Sequence, residues 1–274
     1  MKKDSIKRKI LVSALTASVL AFGAATSAQA NLWMAYSGTD GTNSFAGACQ
    51  DGAACDTNIL TGTIALNPLT LINPLPGLII TNLGTTSTIS PGPGGVNTLL
   101  GGSLIATYGA LTNVVAPVAG FVTIHTAFGD VNYVGPSTSW TTTGSGTWGT
   151  VGGVGSSTTG SSSLMTFYND PENNQGAEDA LDRPGNLVNS VNSIATGNIL
   201  DSFAFTNNGL LTFPDGAQYS MTLGTDFVLV AGASLASQGQ GIAKSTTTIP
   251  EPGSMLLLGA ALAGMGFTRR YKAK

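Results

Sequence analysis

The stretch DSFAFTNNGLLTFPDGAQYSMTL, residues 201–223, decides the fold class. Phe203 and Phe205 alternate with polar or small neighbours. Asn207-Asn208-Gly209 then interrupts them, and the apolar run resumes over Leu210–Phe213. Pro214-Asp215-Gly216 interrupts a second time, and Tyr219, Met221 and Leu223 alternate beyond it. A period of two sends successive side chains to opposite faces of a strand. Asn-Gly and Asp-Gly supply the backbone conformations of tight turns. The stretch therefore predicts two successive β-hairpins.

The same texture covers the chain between its two ends. Further strands are expected at Thr61–Leu66, Leu78–Leu83, Ser103–Tyr108, Gly120–Phe128, Ser163–Tyr168 and Phe227–Ala231. These runs are rich in Val, Ile, Thr and aromatic residues and are bounded by Gly, Pro, Asn and Asp. Residues 177–181 and 187–194 are the only short stretches with a helical look. Residues 90–95 read as a loop, and 144–163, rich in Gly, Ser and Thr, as a flexible loop or a polar strand pair. Many short strands with frequent turns predict a mainly β body at 31–237, a sandwich or jelly-roll-like fold. Residues 238–249 read as a linker.

Charge is distributed unevenly. The whole chain of 274 residues carries −3. Residues 31–249 hold two bases, Arg183 and Lys244, against twelve acids, which gives −10. Nucleic-acid binding needs clustered Lys and Arg to displace counterions, so this body is not expected to bind it. The chain as a whole is 42% apolar, enough to bury a core.

The ends differ from the body. Five bases precede an apolar run over residues 10–25, and Ala28-Gln29-Ala30 follows it. That is the order of a signal peptide, with signal peptidase expected to cleave after Ala30. The other end runs Pro250-Glu251-Pro252, an uncharged small-faced segment, then Arg269-Arg270-Tyr271-Lys272. As a helix, residues 252–268 would span about 26 Å, at the lower limit for crossing a bilayer. Basic residues at both ends stay on the cytoplasmic side, which places the body outside.

This tripartite C-terminus resembles the PEP-CTERM sorting signal, over residues 250–274. The resemblance rests on Pro250, Glu251 and Pro252, the apolar segment, and Arg269 and Arg270. It implies processing by an exosortase in a Gram-negative bacterium and a final place at the cell surface or in an extracellular, polysaccharide-rich biofilm or floc matrix. Such tails serve unrelated bodies.

Within the body, Cys49 and Cys55 are the only cysteines, and in an exported chain they are expected to form a disulfide. His125 is the only histidine, so any Ser-His-Asp triad or zinc site would need it. No G-x-S-x-G elbow occurs in the body. Asp170, Glu172 and Asn174 alternate as the start of a calcium loop does, but Gly176 comes one residue late and Leu181 stands where the closing Glu belongs. The choice there is an irregular calcium site or a solvated loop, and no other cofactor is indicated. Trp33, Trp140, Trp148, Tyr36, Tyr133 and Tyr168 read as core or as sugar-stacking faces. No carboxylate pair stands out for glycoside hydrolysis. The expectation is a non-enzymatic surface or matrix protein, with a carbohydrate-binding module, calcium-dependent or not, as the alternative and a glycan hydrolase behind it.

Overall fold

The computed structural model describes residues 31–66, 75–89, 95–108, 120–151, 157–197 and 200–245. The N-terminal segment expected to be a signal peptide and the C-terminal segment, with their expected helices, lie outside these residues.

Thirteen strands are formed among the described residues: β1 (Trp33–Thr39), β2 (Ser44–Gln50), β3 (Thr63–Ala65), β4 (Leu78–Asn82), β5 (Gly84–Thr88), β6 (Val96–Tyr108), β7 (Phe121–Val134), β8 (Ser137–Thr150), β9 (Ser162–Asp170), β10 (Asn186–Ile194), β11 (Leu200–Phe213), β12 (Gln218–Val230) and β13 (Ala233–Lys244). They make two antiparallel sheets. The first has the order β10-β9-β12-β7-β1-β2, and the second β11-β8-β13-β6-β5-β3, with β4 also pairing with β6. From β6 onward the chain changes sheet at every connection except β9 to β10. The architecture is a β-sandwich of jelly-roll character.

The core follows from the alternation within each strand. Val122, Ile124 and Phe128 of β7 and Leu223, Phe227 and Leu229 of β12 face Leu99 and Leu104 of β6, Trp148 of β8 and Leu235 of β13, and all are buried. Gly101 has a packing role: a Cβ there would overlap the Leu223 side chain from the opposite sheet. The bare backbone of β6 thereby seats Leu223.

Several expectations need correction. Asn207-Asn208-Gly209 is not a turn, because β11 runs straight through it. Asn207 pairs with Thr142, Asn208 with Thr141 and Gly209 with Trp140. None of the three has the positive φ that a type I′ turn requires. The glycine instead makes room for an indole: a Cβ at Gly209 would lie 2.5 Å from Cε2 of Trp140. Pro214-Asp215-Gly216 does turn the chain, with Gly216 at φ 73°. It joins β11 of one sheet to β12 of the other, so it makes an arch and not a hairpin. The two runs at Tyr219–Leu223 and Phe227–Ala231 are one strand, β12.

Residues 187–194 form strand β10, laddered to β9, and Ala177, with φ 68°, lies in irregular chain and not in a helix. The reading of 238–249 as a linker also fails over its first half, since β13 continues to Lys244 between β8 and β6. Its glycines face the core: a Cβ at Gly241 would sit 3.1 Å from Cδ1 of Phe167, and one at Gly239 would sit 3.2 Å from Cδ2 of Leu223. Small residues imposed by close packing had the composition of a linker.

Candidate interaction surface

Both sheets end on the same side of the sandwich with an unpaired strand, β10 in the first and β11 in the second. Among the described residues no strand pairs with their outer edges. Soluble proteins usually blunt such edges with lysine, proline, bulges or short strands. β10 reads NLVNSVNSI, with no charge and no proline, and its ladder is irregular only between Leu187 and Asn189. β11 is fourteen residues long and carries one charge, Asp201. Leu187, Ile194, Leu200 and Leu210 are all more than half exposed along these strands. The two edges are tied by side chains: Asn207 Nδ2 donates to Asn189 Oδ1 at 3.2 Å, and Asn189 Nδ2 donates to Thr142 Oγ1 at 2.6 Å.

The opposite side is finished differently. The second sheet ends there in the three-residue β3. Beside β2, a Cys49–Cys55 disulfide closes the turn. For a loop this short the bond contributes about 2 kcal/mol.

The outer face of the second sheet continues from the β11 edge. Thr142, Gly144, Gly146 and Trp148 of β8 point inward. Thr141, Thr143, Ser145 and Thr147 therefore point outward, about 6.7 Å apart along the strand. An open trough of about 340 Å³ runs over this face, lined by Ser145, Thr147, Ser202, Phe203, Ala236 and Gln238 among others, with no charged group in its lining. Gln238 Nε2 donates to Ser145 Oγ at 3.4 Å, and Thr141 Oγ1 donates to Asn208 Oδ1 at 2.7 Å.

The outer face of the first sheet carries the main charge cluster. Register places Ser37, His125 and Asp226 in one row across β1, β7 and β12. His125 Nδ1 lies 2.8 Å from Asp226 Oδ1. Arg183, from the loop between β9 and β10, donates to Asp226 Oδ2 at 3.0 Å and, through its other terminal nitrogen, to Oδ1. It also donates to Thr166 Oγ1 at 3.2 Å and to the Ala180 carbonyl at 3.4 Å. Gly224 leaves the space in which this guanidinium lies. Burial pulls the Asp226 carboxyl upward, but the hydrogen bonds from Arg183 and His125, together with their charge, outweigh it and hold the group below the usual carboxylate range. The row has the residue types of a serine triad, but β1 is laddered on both sides throughout. Its backbone N–H groups are spent on β2 and β7, leaving none beside Ser37 to stabilise an oxyanion.

The family model for the PEP-CTERM protein-sorting motif matches residues 248–270. The chain carries a PEP-CTERM sorting signal. It is thus an exported protein, held by its C-terminus in a membrane before exosortase processing. The match covers less than a tenth of the chain and does not extend to the body. No curated protein matches the chain. Among solved structures, the chain is similar to TmCBM61 in complex with β-1,4-galactotriose, at 7% identity over 67% of this chain and 83% of the other, with a TM-score of 0.26. It is also similar to a family 16 carbohydrate-binding module, at 12% identity over 56% and 80%, TM-score 0.24. A carbohydrate-binding module specific for non-crystalline cellulose matches at 13% identity over 59% and 82%, TM-score 0.23. Likenesses at such TM-scores say nothing of ligand or activity.

The residues singled out from the sequence fall as follows. Ala28 and Ala30, and Pro250, Glu251, Pro252, Arg269 and Arg270, lie outside the described residues. Asp170, Glu172 and Asn174 do come together. However, Asp170 Oδ1 accepts the Glu172 N–H at 3.0 Å, and Oδ2 accepts the Asn174 N–H at 3.1 Å and Asn174 Nδ2 at 2.7 Å. The carboxylate closes its own turn, and among the described residues no group of three or more His, Cys, Asp or Glu is placed to hold a metal ion. Trp148 and Tyr133 are buried, while Trp33, Trp140, Tyr36 and Tyr168 are half-buried. The two edge strands were missed as a site. Their signal was an absence, two long runs without Lys, Arg or Pro.

Proposed function

We propose that the protein is a structural component of the bacterial surface or extracellular matrix, and that copies of it associate through the β10 and β11 edges. The observation that carries this reading is the pair of long, nearly uncharged edges on one side of the sandwich. Each edge presents a row of backbone donors and acceptors to a further strand. Export under a sorting signal supports the location. The test is sedimentation of the exported, processed protein across a concentration series. Wild type associates in the high micromolar range. A Ser190→Lys, Thr206→Lys variant, altered at two exposed edge positions, associates at least tenfold more weakly and keeps its melting temperature. A wild type that stays monomeric throughout, or a variant that associates equally, sinks the reading.

The trough on the second sheet favours a second role. Its hydroxyl and amide lining without charge suits a neutral polysaccharide better than a charged ligand. Gel retardation by exopolysaccharide purified from the native host tests it. Thr147→Glu, which puts a charge in the trough, weakens retardation about tenfold, the cost of one good polar contact. Unchanged retardation, or none with wild type, counts against a sugar role and leaves the assembly reading standing.

A further inference from the structure

Asp130 of β7 is fully buried. Its Oδ1 accepts two backbone N–H groups, from Val131 and from Asn31, each at 2.8 Å. Its Oδ2 is buried with no hydrogen-bond partner among the described residues. The groups acting on it are Ser87 of β5, the N–H groups of Val131 and Asn31, and Asp51 from the turn after β2, with Tyr133 of β7 close by. None is a cation. Burial pushes the carboxyl up to about 6, against the smaller downward pull of Ser87, Val131 and Asn31. A buried carboxylate with no positive partner is an expensive feature to keep.

Asn31 is also held in place. Gln50 Nε2 donates to its Oδ1 at 2.6 Å, and its own Nδ2 donates to Gln175 Oε1 at 3.2 Å. Leu32 behind it is buried, and its carbonyl accepts the Asp51 N–H at 2.9 Å. Asn31 is the residue that follows Ala28-Gln29-Ala30.

We infer that leader removal turns the Asn31 backbone nitrogen into an α-ammonium that pairs with Asp130, so that processing completes a buried ion pair. The inference rests on cleavage after Ala30. Hydrolysis of the Ala30–Asn31 bond adds one water, leaves a carboxylate on Ala30 and frees an amine that takes up a proton. The nitrogen already aimed at Oδ1 gains a full charge and two further donors, and Oδ2 gains a partner beside it. The leader-bearing chain lacks this pair, so the exported body and its precursor differ in stability with no change of fold.

Chemical labelling tests this directly. The protein is exported with its own leader, its start is read by intact mass, and it is treated with limiting acetic anhydride at pH 7. A free α-amine, with an ordinary pKa near 8, reacts ahead of lysine. The paired α-amine of Asn31 instead reacts at least tenfold more slowly than exposed Lys244 in the folded state, and ahead of it in urea. A second form carries one alanine inserted between Ala30 and Asn31. It places an uncharged amide against Asp130, and its displaced α-amine reacts freely. Its melting temperature falls as pH rises from about 4 through 6. The raised carboxyl favours the fold while protonated and loses that advantage as it ionises. The authentic form shows no such fall. An Asn31 amine that labels like a free one, a start at another residue, or matching pH profiles for the two forms overturns the inference.

Discussion

Trp148→Ala lowers the unfolding free energy by about 3–5 kcal/mol, the range for truncating a large buried aromatic. Trp148 is 1% exposed. It packs against Phe203 with ring centroids 6.0 Å apart, and its Nε1 donates to Ser193 Oγ at 3.4 Å. Phe203 stands on β11 and Ser193 on β10, so one indole joins the two edge strands across the sandwich. The void left by alanine has little chance to collapse, because the ladders of β11 and β13 hold β8 from both sides. In a body of this size the loss appears as a fall in melting temperature of roughly 10 °C. Trp140→Ala supplies the control. Trp140 is half-buried on the same strand, and its loss costs less than half as much. Equal effects at the two positions would show that the core does not extend between β8 and the edges as described.

Asp226→Ala produces the second large loss, about 3 kcal/mol, by leaving the Arg183 guanidinium without its carboxylate. The Arg183 side chain is 9% exposed and that of Asp226 25%, which sets the effect at the low end for a broken buried pair. The double variant Arg183→Met, Asp226→Leu recovers most of the loss, since it removes the charge along with its partner. Acid titration gives an independent reading. The Asp226 carboxyl is held below its ordinary value in the fold. Its contribution is therefore complete above the unfolded-state pKa near 4 and is lost as pH falls through the lower folded-state value. Asp226→Asn flattens that acid limb. Thermal melts between pH 2 and pH 7 check the sign, and a variant as acid-sensitive as wild type would remove Asp226 as the cause.

The β class was legible because alternation survives in most strands, as at Phe203 and Phe205 or Tyr219, Met221 and Leu223. Connectivity was not. Asn207-Asn208-Gly209 has the composition of a turn, but the glycine answers to Trp140 on the next strand, a partner 69 residues away in the sequence. β8 and β13 were hidden for the same reason. Several of their inward positions, Gly144, Gly146, Gly239 and Gly241, are glycines filled by Phe205, Phe203, Leu223 and Phe167 from elsewhere, so local hydrophobicity underreports the strands. The disulfide followed from cysteine count and export alone. The Arg183–Asp226 pair could not be foreseen, since a loop and a strand 43 residues apart meet only through the sheet order.

β13 is the last strand among the described residues, and it lies in the middle of the second sheet, with β8 on one side and β6 on the other. Few of the sandwich's contacts are local, and such topologies close slowly, over milliseconds to seconds. The second sheet cannot close around β13 until Lys244 has left the secretion channel. Only a handful of residues then separate the finished sheet from the sorting signal that begins at 248. Completion of the fold and arrival of the sorting signal are consecutive events at one place in the chain, so a truncated product loses both together.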